Sequence, residues 1–112
     1  YSDTDSVFIE ANLTKDKIRM NQAESFATQV INSAEAVFFA GEPSKSSIKL
    51  YLPKGVQSIE INSENIVMSV QLSFGISKRL YESSVPLNGT ISSSEGLKKL
   101  VIEAEKDFVR IS

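Results

Sequence analysis

The side chains of this 112-residue chain that could do chemistry are carboxylates, lysines, tyrosines and many hydroxyls; it has no His, no Cys and no Trp. The usual base at neutral pH, the thiolate nucleophile and the best zinc ligands are therefore all missing. The densest carboxylate cluster is Glu103-Ala104-Glu105-Lys106-Asp107. On a strand Glu103 and Glu105 share one face, about 6–7 Å apart by strand rise, within range of a paired acid and base. They border an expected hairpin turn, where charges are normally solvated. Glu60 and Glu64 flank Asn62 without the Asx spacing of a calcium loop. Ser46-Ser47-Ile48-Lys49 satisfies Ser-x-x-Lys, but inside an expected strand, and no Gly-rich phosphate motif occurs. Tyr51 and Tyr81 are too few to claim a carbohydrate platform. Lys78-Arg79 and Lys98-Lys99 read as solvated basic pairs. No enzymatic activity and no cofactor is expected.

The elements that would position these groups divide into two halves with different periods. Ile9, Leu13, Met20, Ala23, Ala27, Val30, Ala34 and Val37 alternate in spacings of four and three, a heptad seam interrupted by Asp16 and widened by Phe26, Ile31 and Phe38. The spacing predicts a helix over residues 5–40, capped by Asp3 or Asp5 and stopped by Gly41 and Pro43, with a second start conceivable near Asn12 or Thr14. Residues 46–112 change to period two: Ile48, Leu50 and Leu52, then Ile59 and Ile61, then Ile66 to Phe74. Further strands are expected at 77–83, 87–91, 97–104 and 107–112, the last two joined around Glu105-Lys106. The expected fold is α+β, one domain over 1–112. A long helix lies on an antiparallel sheet or small β-sandwich of about six or seven strands.

Helix length raises a physical problem. From residue 5 to 39 it would span about 50 Å, whereas a compact globule of this size is roughly 35 Å across. Its first turns, with Val7-Phe8-Ile9, would then have no partner within the molecule.

Ile31-Asn32-Ser33-Ala34, followed by Gly41-Glu42-Pro43-Ser44, resembles the end of the long first helix in archaeal pilin-like proteins, which are made with a class III signal peptide. Ile48 to Val56, with Pro53 and Gly55, is similar to the extended segment that begins their globular domain. Gly96 to Ile102 and Phe108 to Ile111 look like their closing hairpin. The resemblance runs from about residue 20 to the end. It implies a precursor cut by a prepilin-type peptidase, with an upstream apolar helix, absent here, that anchors it in the cytoplasmic membrane. The chain opens at Tyr1 rather than Met, which fits a start inside such a precursor.

The implied function is structural: a subunit of an archaeal surface filament or a pilin-like cell-surface protein, with its β domain outside the cell. Its partners would be other copies or other pilin-like subunits, met through a helix face bearing Phe8, Ile9, Leu13 and Met20. The alternative is a membrane-anchored β-sandwich binding module, stator- or adhesin-like, recognising a partner protein, surface layer or glycan. A net charge of −2 with mixed signs gives no reason to expect nucleic acid as a partner. The chain holds 18 Ser, a bias common on exported surfaces, and two N-glycosylation sequons, at Asn12 and Asn88.

Overall fold

A computed structural model describes the backbone of residues 2–112 and the side chains of residues 14–112. The order is α1 (Ser2–Ala40), β1 (Lys45–Leu52), β2 (Val56–Ile61), β3 (Asn65–Leu72), β4 (Gly75–Glu82), β5 (Leu87–Gly89), β6 (Gly96–Ala104) and β7 (Val109–Ile111). This is an α+β architecture, with one N-terminal helix packed on two sheets. The helix is continuous through Asn12 and Asp16, so neither breaks it. It ends where Gly41, at φ +90°, donates its N–H to the carbonyls of Val37 and Phe38. A left-handed residue at this position closes the last turn at no steric cost only when it is glycine.

The seam does what an amphipathic stripe must. Ala23, Phe26, Ala27, Val30, Ile31, Ala34 and Val37 are all buried. They meet Leu50, Leu52, Leu100 and Ile102 from one sheet and Ile66, Met68, Val70 and Leu72 from the other in one contiguous core. Burying each large apolar side chain of this set stabilises by about 1.5–3 kcal/mol.

The strands form two separate sheets rather than the single sheet that was one of the expected arrangements: β1-β6-β7-β5 and β2-β3-β4. Each turns its apolar alternate positions toward the helix. Nor is the pairing wholly antiparallel. β5 runs parallel to β7, matching Leu87 with Val109 and Gly89 with Ile111. The chain reaches β5 by crossing from the three-stranded sheet, so β5 enters beside β7 without a hairpin. At Gly89 a Cβ would stand 1.9 Å from the Ile111 carbonyl oxygen, so only glycine permits that approach.

The expected run from Ile66 to Phe74 also ends early. β3 stops at Leu72, and Phe74, 75% exposed, sits in the turn before Gly75. Leu72 pairs with Gly75, so Ser73 and Phe74 form the two-residue turn of the β3–β4 hairpin, where Asp16 of the helix accepts the Ser73 N–H and hydroxyl. The last hairpin is as expected, with Glu105 donating its N–H to Phe108 O across the turn, although its second strand is confined to Val109–Ile111.

Candidate functional site

The helix dominates the shape. Its 39 residues span about 58 Å at 1.5 Å per residue, in a molecule measuring 63 × 22 × 20 Å. Asp16 and Arg19 mark where the three-stranded sheet closes on it. The segment before Asp16 runs on for roughly 20 Å along the helix axis. Phe8, Ile9 and Leu13 of the expected assembly face, the sequon residue Asn12 and the expected caps Asp3 and Asp5 lie outside the described side chains. Met20 of that same face is half-buried and packs against the core, bordering the groove between α1 and β4.

Three helix side chains reach out to the strands. Asp16, buried though charged, accepts the Ser73 backbone N–H at 3.0 Å and the Ser73 hydroxyl at 2.5 Å. Arg19 donates to the carbonyl of Gln71 at 2.7 Å. About one and a half turns short of the helix end, the Glu35 carboxylate accepts the Ser84 hydroxyl and, at 3.3 Å, the Ser84 N–H. Asp16 and Glu35 thus hold β4 at its two ends, one through the turn before it and one through the loop after it. A buried carboxylate is tolerated because its oxygens are satisfied by such donors. These are structural ties: each carboxylate already has its protons supplied by serine.

The acidic cluster of the last hairpin is likewise neutralised in place. Glu103 pairs with Lys45 at 3.7 Å and Glu105 with Arg110 at 3.1 Å. Around Asn62 the side chain donates to Asn65 Oδ1 at 2.7 Å and the backbone N–H to Asn65 O, which makes this loop a tight hairpin turn. Among the described residues no three Asp or Glu side chains converge as a metal site would need. Ser46 and Lys49, three residues apart on a strand, point to opposite faces: Ser46 is half-buried and Lys49 exposed.

The two tyrosines do not form one platform. Tyr51 is exposed on β1 and flanks the helix beside Ile18 and Gln22. Tyr81, half-buried on β4, flanks the other side near Glu24. Burial pushes the Tyr81 phenol above its usual range, and the neighbouring Glu24 carboxylate adds to this, against a smaller opposite pull from Arg79. Lys78 faces solvent, while Arg79 borders the groove with Tyr81; Lys98 donates to Ser94 Oγ at 3.2 Å. Asn88 is exposed on β5, an edge strand of the four-stranded sheet.

Compared with protein-family models, curated proteins and solved structures, the chain gives no significant match to any of them. Sequence reasoning missed the serine partners Ser73 and Ser84, and the roles of Arg19 and Glu35. One signal was present: Asp16 as the single break in an apolar seam, since a charge there needs a partner.

Proposed function

We propose that this chain is a structural, non-enzymatic subunit of a surface filament, of the pilin-like kind its sequence resembles. In this reading the helix packs against other pilin-like subunits, and the β domain is displayed outside the cell. An apolar helix upstream of Tyr1 anchors it in the membrane before assembly. Among the described residues no helix is long and apolar enough to cross a membrane. The observation that supports the reading is the length of α1. A helix of 39 residues, about 58 Å long, is far longer than strands of at most nine residues, and that excess length suits packing between subunits. The polar groups beside it are engaged in ties between helix and strands, which fits a packing role better than a reaction.

Expression of the full-length precursor in a host with a prepilin-type peptidase, followed by negative-stain microscopy, tests this. Filaments are expected, and Phe8→Glu should abolish them without unfolding the β domain. A soluble globular domain directly upstream of Tyr1 would overturn the proposal. Monomers that stay in the membrane would favour the second reading, an anchored binding module. That reading draws on Ile76 and Leu80, exposed at 60% and 55% on the edge strand β4.

A further inference from the structure

The register of β1 with β6 sets Tyr51 opposite Leu97 and Lys49 opposite Lys99. All four are on the solvent side, with Tyr51 54% and Leu97 70% exposed. Like charges directly opposite on neighbouring strands repel. Among the described residues neither lysine has a carboxylate partner, whereas Lys45, further along the same face, is matched by Glu103. Lys15 and Lys54, with no ion pair among the described residues, border the groove where Tyr51 meets the helix. Tyr51 and Leu97 thus have Lys49 and Lys99 beside them and Lys15 and Lys54 at the helix edge of Tyr51, against one exposed carboxylate, Glu95, close to Leu97 in sequence. This excess of positive charge suits a partner both apolar and anionic.

The chain itself contains such a segment. Its first fourteen residues hold Asp3, Asp5 and Glu10, no Lys or Arg, and the apolar Val7, Phe8, Ile9 and Leu13. They carry a charge of −3, while the remaining residues carry +1. The backbone of residues 2–13 continues α1 as one helix, in a molecule 63 Å long and 22 × 20 Å across. We propose that the outer face of β1 and β6 receives the N-terminal helical segment, residues 2–13, of a second copy of this chain. The inference rests on the filament reading only in treating α1 as an assembly element. The contact joins two different surfaces, so it is heterologous and repeats into an open series rather than closing as a dimer. The exposed apolar group on and before β4, Phe74, Ile76 and Leu80, has Lys78 and Glu82 along the same strand and no comparable excess of lysine.

Zero-length carbodiimide cross-linking of an equimolar mixture of unlabelled and nitrogen-15-labelled chain tests this by mass spectrometry. Mixed-label links from Lys49 or Lys99 to Asp3, Asp5 or Glu10 are expected. The double change Lys49→Glu, Lys99→Glu should remove them and weaken self-association, read by sedimentation, about tenfold. Adding Asp3→Lys, Asp5→Lys and Glu10→Lys should restore both, which recovery from a folding defect would not do. Links that place the segment elsewhere, no mixed-label links at millimolar chain, or unchanged association of the double variant would each overturn the proposal. So would an acidic polysaccharide that saturates the lysines of a chain that is otherwise monomeric. Filaments of full-length protein that persist in the double variant overturn this contact and leave the filament reading standing. A full-length protein that makes the cross-links but no filaments overturns the filament reading alone.

Discussion

The helix meets its two sheets by different means. Against β1 and β6 the contact is apolar: Phe26 lies over Leu50, and among the described residues no helix side chain hydrogen-bonds to the four-stranded sheet. Every such bond goes to the three-stranded sheet or the segments flanking it, from Asp16, Arg19 and Glu35. Apolar burial is strong but non-directional, while hydrogen bonds have fixed geometry. The larger sheet, with β6 central and long, is located by its buried area. The smaller one, whose edge strand β4 exposes much of its surface, is held in orientation by polar ties at both ends of that strand.

This difference can be broken experimentally. The largest effect is expected at Ile102→Ala, a fully buried position of the four-stranded sheet, with a loss of about 2–5 kcal/mol by chemical denaturation and unfolding of the whole molecule. Next comes Asp16→Ala, which leaves the Ser73 N–H and hydroxyl without an acceptor and should cost about 2–3 kcal/mol. Hydrogen exchange should then speed up at the β3–β4 turn and along β4, with little change in β1 and β6. Equal acceleration in both sheets would show that they open as one unit and would erase the distinction. Glu35→Ala, at a half-buried site with an exposed partner, should cost less than about 1 kcal/mol and loosen only the loop after β4.

The smallest effect concerns pH. The Tyr81 phenol has a folded-state pKa raised by burial and by Glu24. The folded state therefore keeps this proton more tightly than the unfolded one. The stability it contributes is complete below the unfolded value near 10 and is lost as pH rises through the folded value. Stability curves of the parent and of Tyr81→Phe should diverge only in that alkaline range, and the difference between their ultraviolet titrations should show the Tyr81 phenol ionising above its usual value near 10. A difference curve centred at or below that value would remove the basis of this expectation.

Much of the fold was legible in order. The 3.6-residue period of the seam marked nearly every helix residue that is buried, Gly41 marked the stop, and alternation from Ile66 to Leu72 marked the buried face of β3. The candidate groups were far less so. Asp16 was visible only as an interruption, because its partner Ser73 is 57 residues away. The alternating run extends through Phe74, and period alone does not show that the hairpin closes two residues earlier, with Leu72 opposite Gly75.

The sequence by itself determined a long helix, a run of about six or seven strands and the apolar residues that make one core, because helices and strands are written in periods of a few residues. Tertiary structure alone decided the split into two sheets, the parallel entry of β5 and the tying of β4 to the helix. It also decided the meeting of Lys49 with Lys99. These are relations between segments far apart in the chain. They are set by how several faces close together over a shared core, and no local period encodes them.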